Sequence, residues 1–413
     1  MKTPRLPTRL SGSTLVVAST GVAGLFGYAI QTVAGAGLEA SAYAHFSVFW
    51  AAVFLAVGSM SGVQQEVTRA ARPGAQGGEA GRRLLIGVLA VAVTAAALVV
   101  ASGALWAGVV FADDGGASLA LLSVAVLFSG AVAGIAGVLY GLHDWRRVAL
   151  VISLDPALRF LMVGGSLVAG HAEWLPTAIV APIPVTFVSA LLLVIPRLRQ
   201  GVTVDVATTR HLVGNISRAI VGAAATAVLV SALPLFIGAA ARDISATQTG
   251  ALLFNLTLTR APIVIPALAF QSLLVVFFRD RLTHVARSTL LMTGGAVAVA
   301  LLVAIVCGIL GPTVIGGLFG DGYRLSGLPL AFLVASSGLT AGLSVTGAAT
   351  IALRRHTAYL GGWVFAALAA VVLLFVSPGD TITRSVVALS FGPALGLLVH
   401  VTAIWRARSS SRV

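Results

Sequence analysis

Three charged residues stand deep inside apolar stretches of this chain: Asp155, Arg159 and Arg260. In the run DPALR, Asp155 and Arg159 are four positions apart, which on a helix places them on one face at ion-pairing distance. Two chemistries suit that spacing. One is a neutralised structural pair. The other makes Asp155 a proton or cation coupler beside a substrate-binding Arg159, with Pro156 disturbing the helix and freeing carbonyls toward a cavity. Arg260 lies in ALLFNLTLTRAPIVIPALAFQSLLVVFF, Ala251 to Phe278, with no acidic residue within helical reach. Its neighbours Asn255, Thr257 and Thr259 are neutral, and Pro262 and Pro266 mark bends. An uncompensated guanidinium beside a bend suits the anionic headgroup of a ligand. The competing reading is a salt bridge to Asp155 or another interior carboxylate. Gln31, Gln271 and Asn255 are further substrate-binding candidates; the competing reading for Gln31 and Gln271, and the commoner use of such a residue, is a bond to a neighbouring helix.

These residues need a scaffold, and composition says which. Of 413 residues, 58% are hydrophobic and 9% charged, with mean hydropathy +1.02. A soluble domain is about a quarter charged, so the solvent for this surface is lipid. Apolar runs predict twelve spanning helices near 13–36, 43–66, 84–111, 118–142, 148–170, 175–196, 213–239, 247–278, 288–311, 326–352, 357–377 and 382–405. The first run is too long for a signal-peptide core and reads as a span. The fold class is an all-α polytopic membrane protein of two six-helix lobes, residues 1–200 and 201–413, around a central cavity.

The net charge of +13 would suggest nucleic acid in a soluble protein. Here 21 of the 26 basic residues fall in alternate loops and at the termini, Arg69, Arg72, Arg82, Arg83, Arg146, Arg147, Arg197, Arg199, Arg354 and Arg355 among them. Glu39, Asp113, Asp114, Glu173, Asp243, Asp321 and Asp380 fall in the others. Basic loops stay in the cytoplasm, so both termini are expected there, in the cytoplasmic membrane. No nucleic-acid motif accompanies the charge.

The loops are too short for a catalytic domain. Neither HExxH, GxSxG nor a Walker lysine motif occurs, and lysine appears once, as Lys2. No enzyme activity, cofactor or metal is expected. Cys307 stands alone, without a disulfide partner. Glu66 is placed to pair with Arg69, while His45 and His400 suggest no role. Gly130, Gly134, Gly137 and Gly141, like Gly338 and Gly342, have the small-residue spacing of closely packed membrane helices. GAGLEASAYAHFSVFW and GAAARDISATQTGALLF, six spans apart, suggest a parallel repeat about an axis along the membrane normal.

GVQQEVTRAAR, LTLTRAPIVIPALAFQSLLVVFF and GGLFGDGYRLSGLPLAFLVAS, with the six-plus-six layout, resemble the polysaccharide-exporter branch of the multidrug/oligosaccharidyl-lipid/polysaccharide (MOP) flippase superfamily. The resemblance covers nearly the whole chain and rests more on architecture than on single residues. It implies a cavity opening alternately to each side, and transport of an isoprenoid-linked oligosaccharide or polysaccharide precursor. It places Arg260 where such flippases carry an arginine for the lipid pyrophosphate. The first span has no arginine between Arg9 and the end of the second, unlike lipid II flippases, which counts against the peptidoglycan precursor. Expected partners are the lipid-linked glycan, membrane lipids and glycan-assembly proteins. The alternatives are a drug-cation antiporter of the same fold, a membrane glycosyltransferase or ligase, and a noncatalytic scaffold for glycan assembly.

Overall fold

A computed structural model describes residues 12–74, 79–111, 115–204 and 206–410. The expected Lys2, Arg5, Arg9, Asp113, Asp114 and Arg412 lie outside the described residues. Among these residues twelve helices are long and apolar enough to span a membrane: α1 Thr14–Gly37, α2 Ala40–Ala70, α3 Gly81–Phe111, α4 Gly115–Gly141, α5 Trp145–Val168, α6 Ala172–Gln200, α7 Gly214–Ala240, α8 Ala246–Ala269, α9 Val285–Phe319, α10 Gly327–Ala352, α11 His356–Val376 and α12 Thr381–Ala407.

All twelve expected spans are present, with one correction. The eighth was expected as one helix to residue 278. It breaks after Ala269, and a short helix, Gln271–Arg279, continues it. Pro262 and Pro266 each remove an amide from the last two turns of α8, which weakens the ladder there.

Loops at the arginine-rich face meet one another. Strand β1, Ala71–Pro73, follows α2, and strand β2, Val202–Val204, follows α6; they pair antiparallel with Arg72 opposite Thr203. Two loops that pair must share a face, as the arginine alternation requires. Asp144, before α5, accepts from Arg147 Nη1 at 2.6 Å and from Arg197 Nε, at the end of α6, at 2.7 Å. At the opposite face, the Arg384 guanidinium in α12 donates to Asp243, before α8, at 2.7 Å. Glu66 pairs with Arg69 at 3.2 Å.

The first six helices pack mainly among themselves, α1 on α5 and α4 on α2 and α3; the last six do likewise, α9 on α10 and α11 on α12. Small residues let them approach: at Gly137 of α4 a methyl group would press on Val67 and the Gln64 carbonyl of α2. The two groups meet chiefly where α2 crosses α7 and α8.

Candidate functional site

Between the two six-helix groups lies a cavity of about 820 Å³. Its charged lining residues are Asp155, Arg159 and Arg260; Gln31, Ser47, Ser61, Gln64, Ser129, Thr186, Ser231 and Thr257 supply most of its remaining polar lining. The lining of α1 runs from Val17 to Gln31, that of α2 from Ser47 to Gln64, and that of α8 from Leu256 to Ala269. In each helix this is the middle and the half nearer the arginine-rich face, so the cavity extends from mid-membrane toward that face. Of the expected site residues, the structure brings Gln31, Asp155, Arg159 and Arg260 to this cavity. Asn255 and Gln271 do not line it.

The two arginines differ in how they are held. Arg159 is 2% exposed. Its Nη2 bonds Asp155 at 2.8 Å, and its Nε donates to the Ile179 carbonyl at 2.9 Å. That carbonyl sits just before the helical break at Ala181, ahead of Pro182 and Pro184. The guanidinium carbon also lies 5.0 Å from the centroid of Phe54 and 5.8 Å from that of Trp50, where ring faces attract a cation. Charge, hydrogen bonds and packing are thus satisfied around Arg159. Its carboxylate partner is 22% exposed and borders the cavity.

Arg260 is 6% exposed and, among the described residues, has no such partner. Its Nη2 donates to Thr340 Oγ1 of α10 at 3.1 Å and to the Leu229 carbonyl of α7 at 3.4 Å, and its buried Nε bonds nothing. Asp155, the carboxylate expected as its alternative partner, is taken by Arg159. The Leu229 carbonyl is available for a local reason. α7 passes through a π-turn at Val228–Ala232. In that register the amide answering Leu229 would be residue 234, and Pro234 has none. The helix therefore leaves an oxygen turned to Arg260, a neutral acceptor that holds the side chain without cancelling its charge.

Beyond the cavity, the opposite face is closed. The Tyr43 hydroxyl donates to Gln31 Oε1 at 2.7 Å. Its ring meets Phe254 edge-on at 5.2 Å and Tyr323 at 5.8 Å. Tyr323, from the loop before α10, is 2% exposed and donates to the Leu38 carbonyl at 2.9 Å. Asn255 holds that loop by donating to the Tyr323 carbonyl at 2.8 Å. Gly250 presses so closely on α2 that an added Cβ would overlap the Ala40 carbonyl. The sequence reading did not single out Tyr43 or Tyr323. An aromatic in an outer glycine-rich loop, FGDGYRLSG, is the signal that could have pointed to the second.

The lateral seams are unequal. Where α2 meets α7, an added Cβ at Gly62 would strike the backbone of Ala219 and Ile220. Where α1 faces α8, added Cβ atoms at Gly21 and Gly27 would meet nothing within 4 Å, and one at Gly24 only Ile265 at 3.5 Å. The cavity thus has a tight wall at α2/α7 and a slot at α1/α8.

This architecture is that of the MOP superfamily transporters. The lipid II flippase MurJ in an inward closed conformation aligns with a TM-score of 0.67 at 10% identity, over 94% of this chain and 87% of that one. An inward-facing multidrug resistance MATE family transporter aligns at 0.63 with 18% identity, over 94% and 96%. A Pyrococcus furiosus transporter described as having a binding pocket of reverse polarity aligns at 0.62 with 18% identity, over 96% and 95%. No family model matches the chain. By sequence it is 33% identical over 410 residues to the uncharacterized protein Rv1510 of Mycobacterium tuberculosis, covering 95% of this chain and 91% of that protein. It is 32% identical over 419 residues to the uncharacterized protein Mb3654 of Mycobacterium bovis, covering 96% and 93%. The chain belongs to the family of these uncharacterized mycobacterial proteins.

Proposed function

We infer that this protein is a flippase that carries an isoprenoid-linked oligosaccharide or polysaccharide precursor across the cytoplasmic membrane by alternating access. The observation that carries the reading is Arg260, a buried guanidinium on the cavity wall with only neutral partners. A cation held in that way costs stability unless a ligand completes it. A lipid-linked phosphate or pyrophosphate supplies the missing charge and accepts from Nε. Arg159, held by Asp155, frames the other side.

The α1/α8 slot supports the same reading, because it lets an isoprenoid chain stay in lipid while its headgroup enters. The sugars leave hydrocarbon for a polar cleft, which removes the penalty of unmet hydrogen bonds. Both termini are taken as cytoplasmic from the arginine distribution, so the cavity as described faces inward. The aromatic closure at Tyr43, Phe254 and Tyr323 is then the gate that opens when the lobes rock. Glycan-assembly proteins at the arginine-rich loops fit this role. A cavity with two guanidinium groups and one already paired carboxylate argues against a cationic drug.

Binding tests the reading. Purified protein in nanodiscs carrying Ala261→Cys in a Cys307→Ser background is labelled with a small thiol reagent. Isoprenoid-pyrophosphate oligosaccharide is expected to protect the cysteine, and a lipophilic cation to leave it reactive. Protection by the cation alone would replace this function with the antiporter.

A further inference from the structure

His400, for which the sequence suggested no role, is fully buried in α12, in the core of the C-terminal lobe away from the cavity lining. Its place is shaped to hold it. α11 carries Gly362 opposite the ring, and a Cβ there would overlap the imidazole. The ring stacks on Tyr359 at 6.2 Å with planes 7° apart. Nε2 lies 3.1 Å from the Tyr359 carbonyl, an acceptor only, so that nitrogen carries a proton. Nδ1 lies 3.0 Å from Thr346 Oγ1 of α10.

Thr346 makes the site two-valued. Its hydroxyl also reaches the Gly342 carbonyl at 3.0 Å and the Leu343 carbonyl at 3.1 Å. With the hydroxyl hydrogen on either carbonyl, Oγ1 accepts from a protonated Nδ1 and the ring is an imidazolium. With the hydrogen turned to Nδ1, the ring is neutral. Rotation of one hydroxyl satisfies the ring in both states, so neither leaves a ring nitrogen unpartnered. The surroundings add little charge. α10 has no titratable side chain, α11 offers Tyr359 and, at its exposed start, His356, and α12 carries Arg384 and Arg406 toward its two ends. Tyr359 packs in the same buried cluster as Leu268, in the last turn of α8 before the break in the eighth span, and Leu268 lines the cavity with Ala269 and Phe270.

We propose that His400 is a proton-binding site of the C-terminal lobe, switched by rotation of the Thr346 hydroxyl and linked through the packing of Tyr359 with Leu268 to the break below Arg260. The proton is taken from water and returned to it, with no other bond made or broken. The site does not depend on which substrate fills the cavity.

The test is nitrogen NMR of the full chain in detergent micelles, with ¹⁵N-histidine and His45, His143, His171, His211, His284 and His356 changed to Gln, so that His400 reports alone. The proposal expects a singly protonated ring at high pH and a doubly protonated one at low pH. Thr346→Val keeps the shape and removes the acceptor. It should lower the doubly protonated population at a given pH by about tenfold or more, through loss of one charge-assisted hydrogen bond. In parallel, thiol labelling at Ala269→Cys in a Cys307→Ser background should follow the same pH dependence, and lose it in His400→Gln, or in Thr346→Val if His400→Gln does not fold. A ring locked in one protonation state from pH 5 to 8 overturns the proposal. So does labelling whose pH dependence survives both variants.

Discussion

Arg260 of α8 reaches Thr340 of α10 at 3.1 Å, and nothing in that contact neutralises it. Four helical turns of α8 separate Arg260 from Ser245, the residue capping the helix, so the charge sits deep within a span. Arg159, in the same cavity, is held at 2.8 Å by a carboxylate one turn away. The two arginines therefore differ in compensation: one is paired with a carboxylate, the other meets only neutral acceptors. Substitutions should separate them.

Replacing Arg260 with Met should leave unfolding stability unchanged or raise it, since an uncompensated buried cation is removed. Transport should fall by about 10- to 100-fold, the loss of one hydrogen bond to a charged ligand group. Unfolding in mixed micelles and a transport assay on the same preparation check both halves.

Asp155→Asn should behave in the reverse way. It strands Arg159 as a buried unpaired cation, and breaking one partner of a buried pair costs about 3–5 kcal/mol. The double variant Asp155→Leu, Arg159→Met should recover most of that loss. Unfolding midpoints of the parent protein, Asp155→Asn and the double variant measure it.

The α1/α8 slot has room for a side chain. Gly27→Leu should fold normally, because an added Cβ meets no atom within 4 Å. It should slow a lipid-tailed substrate severalfold while leaving access of a small soluble thiol reagent to the cavity unchanged. Equal effects on both would mean that the slot is not a lipid passage.

At the closed face, Gly250→Ala sets a methyl group against the Ala40 carbonyl. In the proposed transport cycle the two lobes part there, so a cysteine at position 38 should label faster in this variant than in the parent. Tyr323→Phe, which removes the hydrogen bond to Leu38, should act in the same direction more weakly.

Asp144 ties the arginine-rich face together outside the spans. Burial alone would raise its pKa, but the hydrogen bonds and charges of Arg197 and Arg147 outweigh this and hold the carboxyl below the usual range. The stabilisation is therefore present above the ordinary carboxylate range and is lost as pH falls through the lowered value. Asp144→Asn should cost about 1–3 kcal/mol at neutral pH, and its unfolding midpoint should converge with that of the parent protein in strong acid.

Much of this was legible in the sequence, for physical reasons. Hydrocarbon demands long apolar runs, so all twelve spans showed in composition. Charge placement separated the loops, and the pairing of β1 with β2 follows that separation. Asp155 and Arg159 were readable because a helix brings positions four apart together. The break at Phe270 was hidden because both sides are equally apolar. The partners of Arg260 come from helices 31 and 80 residues away. One is exposed by a π-turn that leaves no periodic mark. The surroundings of His400 and Tyr323 were hidden because their partners lie 41 to 285 residues away in the chain.

The central claim is that Arg260 meets a negatively charged lipid headgroup. The most direct measurement is flipping of a fluorescent isoprenoid-pyrophosphate oligosaccharide in liposomes holding equal amounts of the parent protein and Arg260→Ala. The account predicts flipping by the parent that drops by an order of magnitude or more in the variant, with both proteins equally folded. Full flipping by Arg260→Ala would contradict it.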